Sequence, residues 1–186
     1  LGYDKYGNLA SLIGQQADTG SVGDQRVQVG IVYEGTLNTY PETVTDHFGL
    51  SVSSTYDYLF GKTLSQTDTN DNTISYTYDA FGRMSTVTGP YQQDGGQATI
   101  GFEYLPQERP AYALTHHYDR FRDESGQDTI DTALFTDGLK RVLQTQKDAG
   151  LYEGGEVKDG LIISGRVRLD GLGRQVEQYY TSSVLG

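Results

Sequence analysis

Three groups of side chains in this sequence have types and spacings that chemistry can use. Asp79 and Arg83, Asp137 and Arg141, and Asp170 and Arg174 each set a carboxylate four residues before a guanidinium. Such a pair could make an acidic site beside a fixed cation, or it could close a turn by satisfying N–H and carboxylate groups locally. Repetition favours the second, because a catalytic site occurs once whereas a structural device recurs with its fold unit. Asp68, Asn70 and Asn72 have the alternate spacing of a calcium loop, with Asp79 at the twelfth position. The sixth position is Thr73 where such a loop needs glycine, and the flanks read as strand, so an Asx turn explains the stretch better. His116 and His117 are adjacent, and on a strand they face opposite sides, so they cannot chelate one ion together. His47 beside Asp46 leaves only a single-histidine site. No Gly-x-Ser-x-Gly, phosphate-cradling Gly-Lys loop, His-Glu-x-x-His or cysteine nucleophile is present. No catalytic residue, metal site or cofactor is therefore expected.

The elements that position these groups are hairpins. Ile74, Tyr76 and Tyr78 alternate with Ser75, Thr77 and Asp79, the period-2 pattern of a half-buried strand. Ala80-Phe81-Gly82 breaks the pattern at a glycine able to take φ > 0, and a second β-prone run leaves from Arg83. Asp170-Gly171-Leu172-Gly173-Arg174 repeats the signature in register. Asp137 and Arg141 keep the ends, with Lys140 in the glycine position. Tyr3-Asp4 with Gly7 has Asn8 in place of arginine, and Tyr56-Asp57 with Gly61 carries one extra residue before Lys62. Five copies of one hairpin signature in 186 residues make a repeat architecture.

On these residues the chain resembles the YD-repeat, or RHS-repeat, family, whose signature is a Tyr-Asp pair followed by Gly-Arg across a turn. Asp68 to Arg83 fits that pattern best. Phe135 to Gln144 and Ser164 to Arg174 are similar to the B component of bacterial toxin complexes and related virulence proteins. The resemblance spans roughly residues 50 to 180. It implies repeats that spiral into a hollow β-shell around a toxic polypeptide, in a secreted or surface-displayed bacterial protein. The partners it implies are the remainder of that shell and its enclosed polypeptide. Such shell proteins often cut themselves with aspartates beside an Asp-Pro-x-Gly motif, and no Asp-Pro pair occurs here. The resemblance therefore implies no self-cleavage within this stretch.

Composition agrees with a β-rich chain. Only 35% of residues are hydrophobic, but 15 Tyr and 6 Phe supply apolar faces, and 24 Gly against 4 Pro suit many tight turns. The length allows one domain with a sizeable core. The net charge of −11 repels phosphate backbones, so nucleic acid and anionic membrane surfaces are not expected partners. No apolar run approaches the roughly 20 residues that span a bilayer. The absence of cysteine excludes disulfides. A chain that starts at Leu1 reads as an excerpt of a longer protein.

The expected fold is all-β, repeated hairpins forming one curved, extended antiparallel sheet over residues 1–186. Residues 1–49 are lead-in strands, 50–97 the clearest repeats, and 98–186 further hairpins. Residues 36–49 read as a longer loop or an edge strand, 89–96 as a break, and 148–160 as an acidic, exposed excursion. Thr132 to Lys147 could hide a helical turn. Leu161 to Leu169 and Gln175 to Tyr180 read as a final hairpin. An excerpt of an open sheet should also self-associate at its edge strands. Tyrosine-rich faces leave a carbohydrate- or receptor-binding module as the alternative.

Overall fold

The computed structural model describes residues 1–14, 27–95, 97–118 and 129–185. The expected connection at 15–25 and the polar turn at 123–128 lie outside the described residues. The chain divides into two compact units, one of Leu1–Gly82 with Thr88–Asp94, the other of Arg83–Val87 with Gly95–Gly186. The fold class is all-β, as expected, and the strand pairings of the described residues are antiparallel.

The first unit holds β1 (Gly2–Tyr3), β2 (Leu9–Ile13), β3 (Gln28–Tyr33), β4 (Pro41–Thr45), β5 (Ser51–Asp57), β6 (Lys62–Thr67) and β7 (Thr73–Tyr78). They lie side by side in chain order. Alternation sorts their side chains onto two faces. Ile31, Val44 and Val52 pair across β3, β4 and β5 on one face. On the other, Thr43, Ser53, Thr67 and Thr73 form a hydroxyl row across β4 to β7. Cross-strand hydroxyl pairs close at 2.9 Å for Thr45 and Ser51, 2.6 Å for Thr55 and Ser65, and 2.8 Å for Thr67 and Thr73.

The second unit contains β8 (Met84–Thr88), which enters from the first, then β9 (Ile100–Leu105), β10 (Ala111–Tyr118), β11 (Thr129–Thr136), β12 (Val142–Glu153) and β13 (Glu156–Ser164). After β13, Gly165 takes φ +63° and the chain leaves the sheet. It forms a separate hairpin of β14 (Val167–Leu169) and β15 (Gln175–Gln178), and returns as β16 (Ser182–Leu185) against β13.

Several details correct the sequence reading. Residues 36–49 contain β4, an interior strand paired with both β3 and β5, in place of a loop or edge. The acidic excursion at 148–160 is an extended hairpin. Gly154 (φ +65°) and Gly155 (φ +94°) supply the two left-handed positions of a tight turn, with Glu153 opposite Glu156. Thr132 to Lys147 holds strand, with no helical turn, because β11 and β12 pair through it. Leu161 to Leu169 is two strands split at Gly165, and β16 was not anticipated. The break at 89–96 is a 3₁₀ segment, Pro90–Gly95.

No hydrophobic side chain is buried among the described residues, so the sizeable core is not formed; the buried residues among them are Glu34, 5% exposed, and the glycines Gly82 and Gly160. Apart from Glu34, the side chains of the described residues are half-buried at most, the extent that cross-strand neighbours in a sheet provide.

Candidate functional site

The feature built with most care is the repeated turn. At Asp4, Asp46, Asp68, Asp137 and Asp170 the aspartate N–H donates to the carbonyl four residues on. Its own carbonyl accepts from the N–H three residues on; Asp79 does the same with Gly82 at 2.9 Å. The carboxylate Oδ1 takes the N–H of the second following residue, as with Tyr6 on Asp4, Phe48 on Asp46, Asn70 on Asp68, Phe81 on Asp79, Leu139 on Asp137 and Leu172 on Asp170. The third following position is left-handed in all six: Gly7, Gly49, Asp71, Gly82, Lys140 and Gly173. This is a three-residue hairpin loop closed by a bulge, with the aspartate holding the amides that the loop would leave open.

The residue four after the aspartate completes the turn. Arg141 Nε donates to Asp137 Oδ2 at 2.6 Å, and Arg174 Nε to Asp170 Oδ2 at 2.8 Å. Asn8 and Asn72 do the same for Asp4 and Asp68, both at 3.1 Å. These bonds set the acidities. The Arg141 amide and guanidinium hold Asp137 below the usual carboxylate range, the Arg174 amide and side chain do so for Asp170, and the Asn72 side chain leads for Asp68. Asp4 is pushed up by desolvation but brought lower on balance by bonds from Asn8, Tyr6 and Gly7.

Two turns are longer variants. Asp57 Oδ1 accepts from Leu59 and Phe60, and the left-handed glycine is displaced by one residue to Gly61. In the turn after Tyr33 the acid is Glu34, a copy the sequence reading missed because its longer side chain spans a longer loop. Glu34 takes N–H groups of Thr36 (2.7 Å), Leu37 (2.8 Å) and Thr39 (3.0 Å). Burial pushes its pKa up, but those bonds and one from Tyr40 outweigh it and bring the pKa to about 2.

Neighbouring turns are fastened to one another. Asn8 Nδ2 donates to the Asn38 carbonyl at 2.6 Å, Lys62 Nζ to the Gly82 carbonyl, and an Arg141 N–H to the Gly173 carbonyl. A Cβ at Gly82 would lie 2.7 Å from the Phe60 ring, and one at Gly61 would lie 2.7 Å from the Tyr40 hydroxyl. Strand tyrosines form a second set of fasteners, and three of them, Tyr33, Tyr56 and Tyr78, directly precede a turn acid. Tyr33 OH donates to the Leu9 carbonyl at 3.3 Å, Tyr56 OH to Pro41 at 2.8 Å, Tyr78 OH to Thr63 at 2.7 Å, and Tyr104 OH to Met84 at 2.9 Å. Each acceptor lies at or next to the first residue of the return strand of the preceding hairpin. Arg83 lies over the Tyr104 ring, 4.3 Å from its centroid. Tyr3 stands on β1, before Asp4, and is exposed.

Residues 59–93 match the family model described as RHS Repeat. The matched stretch contains the Tyr78-Asp79 turn, its Gly82-Arg83 and the Lys62 fastener. No curated protein matches the sequence. Among solved structures the fold is similar to the crystal structure of TcdB2-TccC3-Cdc42, with TM-score 0.67, 16% identity, and coverage of 84% of this chain and 12% of that one. It is equally similar to TcdB2-TccC3-TEV, at TM-score 0.66 and 17% identity, with the same coverage. A Photorhabdus luminescens Tc holotoxin pore gives TM-score 0.66 and 16% identity, again over 84% and 12%. The chain spans about an eighth of the length of those chains.

The other candidate residues fall at separate places. Asp68 and Asn72 border an open depression of about 370 Å³ with Gln66, Ile74, Pro90 and Tyr91, and the Asp68 carboxylate is already occupied by turn donors. His47 lies against the Phe48 ring. His116 and His117 face opposite Asp131 and Ile130 on β11. His116 Nδ1 is 2.8 Å from Asp131 Oδ1, which also accepts from Thr129, while the Asp131 N–H donates to Asp148 at 3.1 Å. Register alone brings Asp131 to His116, so no sequence spacing announced it. Among the described residues no group of three or more His, Asp or Glu is placed to hold a metal ion.

Proposed function

We propose that this chain is a wall segment of an RHS-repeat β-shell, which encloses a toxin or effector polypeptide in a secreted or surface-displayed bacterial protein. The observation that carries the reading is the doubled fastening of successive hairpins, by tyrosine hydroxyls on the strands and by Asn8, Lys62 and Arg141 at the turns. The signature aspartates bind turn amides, and Arg141 and Arg174 bind those aspartates, which supports an architectural role for them. The RHS Repeat match at 59–93 and the fold shared with the toxin-complex structures support it at the coarser level. Enclosure needs many more hairpins than this chain holds, supplied by the rest of a longer product.

The test is the intact mass of the native product, detected with an antibody to this segment, followed by limited proteolysis. A product several times longer, from which protease releases a protected internal polypeptide only after denaturation, is the expected result. A native product no longer than the 186 residues would overturn the shell.

The open strand edges at β1 and β16 should drive edge-to-edge self-association of the isolated chain. A second reading, glycan contact, is favoured by one observation. The 85%-exposed Tyr91 ring borders the depression shared with Gln66 and Asn72. The tyrosine faces argue against it, since the hydroxyls of Tyr33, Tyr56, Tyr78 and Tyr104 are taken by backbone carbonyls. A glycan array without hits would remove it.

A further inference from the structure

Tyr40, Tyr56 and Tyr58 bring three phenols into contact in the first unit. The Tyr40 ring lies 4.9 Å from the Tyr56 ring at an interplanar angle of 23°, and 6.2 Å from the Tyr58 ring at 27°. Tyr40 immediately precedes β4, Tyr56 stands near the end of β5, and Tyr58 lies in the turn after Asp57. Antiparallel pairing sets the start of β4 beside the end of β5, which is how residues so far apart in sequence meet. The two neighbours of Tyr40 are held differently. Tyr56 donates its hydroxyl to the Pro41 carbonyl at 2.8 Å, which fixes its ring. Tyr58 is 44% exposed, so its ring has room to turn and its phenol meets solvent.

Stacked rings are favourable in their own right, and phenylalanines in these places would stack as well. Phenols in contact add a reaction that phenylalanines lack. The sequence holds no Cys and no Trp, so a one-electron oxidation of this chain comes to rest on tyrosine.

We propose that Tyr40 and Tyr58 are an oxidative cross-linking site, joined by a carbon–carbon bond in the presence of a haem peroxidase and hydrogen peroxide. Each phenol loses one electron and one proton, and hydrogen peroxide takes up both electrons and both protons to leave two waters. The two radicals combine at ring carbons ortho to their oxygens. Each of those carbons then sheds its hydrogen as a proton while its own oxygen regains one, which restores both aromatic rings. The protein loses two hydrogen atoms in all. Tyr58 is the partner because it can turn a ring edge toward Tyr40. Tyr56 is nearer, but it is tied at its hydroxyl and lies face to face with Tyr40. The new bond links the chain beside the Glu34 turn to the Asp57 turn, a covalent counterpart of the hydrogen-bonded fasteners. Closing that loop restricts the unfolded chain as a disulfide does. Neither the stack nor its chemistry depends on an enclosed polypeptide.

The test treats the dilute 186-residue chain with a haem peroxidase and hydrogen peroxide, then isolates the monomer for mass spectrometry. Coupling between molecules, through the more exposed Tyr91, Tyr152 and Tyr180, falls on dilution, whereas the Tyr40–Tyr58 bond does not. The expected product is a monomer lighter by two hydrogen atoms, with fragments that place the bond between Tyr40 and Tyr58. Tyr40→Phe and Tyr58→Phe, each with an unchanged amide fingerprint, should lower its yield at least tenfold, and Tyr91→Phe should leave it unchanged. Oxidation of the unaltered chain in denaturing urea, which removes the stack without a substitution, should lower the yield as the two variants do. Dityrosine found in oligomers alone overturns the proposal. So does a monomer product bonded elsewhere, or one whose yield is indifferent to Tyr40→Phe, Tyr58→Phe or urea.

Discussion

Arg141 joins two turns at once: its Nε donates to Asp137 Oδ2 at 2.6 Å, and another guanidinium N–H donates to the carbonyl of Gly173 in the following turn. The planar fork of arginine makes both bonds possible from one side chain, and a lysine ammonium would have to choose. Arg141→Lys should therefore lower Tm by roughly 2–4 °C, with Arg141→Ala at or beyond the upper end. Arg174→Lys, where only the local Asp170 pair is present, should cost less. Differential scanning calorimetry of the three variants checks the order.

The tyrosine fasteners predict a conservative variant that loses one bond and keeps the ring. Tyr78→Phe removes the donor to the Thr63 carbonyl and should cost about 1 kcal/mol. Tyr56→Phe should cost a similar amount, and the two losses should nearly add if each fastener acts alone. Urea unfolding of the single and double variants gives the answer. A clear departure from additivity would mean that adjacent fasteners are coupled.

Glu34 predicts acid sensitivity of a definite sign. Its pKa is about 2 in the folded chain against an ordinary 4.5, so its contribution to stability is complete above about pH 4.5 and drains away as pH falls toward 2. Asp4, Asp68, Asp137 and Asp170 are shifted in the same direction and add to the slope. Glu34→Gln should be less stable at pH 7, because one amide oxygen cannot replace two carboxylate oxygens serving three N–H groups. Its Tm should also change less than that of the unaltered chain between pH 5 and pH 2. Thermal melts across that range are the check, and parallel curves would refute the assignment.

Glycine positions can be ranked. Gly82 is left-handed at φ +73° and faces the Phe60 ring, so Gly82→Ala should cost about 2 kcal/mol or more. Gly138, with nothing within 4 Å of a Cβ, should accept alanine within about 0.5 kcal/mol. Chemical unfolding of the pair distinguishes them.

How much of this was legible beforehand depended on whether the signal was local. Tyr78-Asp79…Gly82-Arg83 announced its hairpin because the turn chemistry lies within five consecutive residues. The strand Ala111–Tyr118 was readable for the same kind of reason. Glu34 escaped, since a glutamate with its left-handed residue at Asn38 does not match a four-residue template, although the preceding Tyr33 keeps the pattern. Asp68 was legible as an Asx turn, but Asp46, which forms the same turn on the same edge and also lacks a tyrosine before it, fell within a stretch that reads as a longer loop or an edge strand. What joins one hairpin to the next could not be read at all. Lys62 and Gly82, or Tyr56 and Pro41, meet only through strand register, which the sequence does not state. The departure of the chain at Gly165 and its return as β16 belong to the same class.

The lack of any buried hydrophobic side chain among the described residues bears on temperature. The curvature of a stability curve comes from the heat capacity of apolar surface newly exposed on unfolding. A sheet that keeps its aliphatic and aromatic groups half wet exposes little more when it comes apart. Its stability curve should be shallow for its length, with hydrogen bonds rather than hydrophobic burial setting its height. Such a chain would gain little from moderate cooling and would be slow to cold-denature.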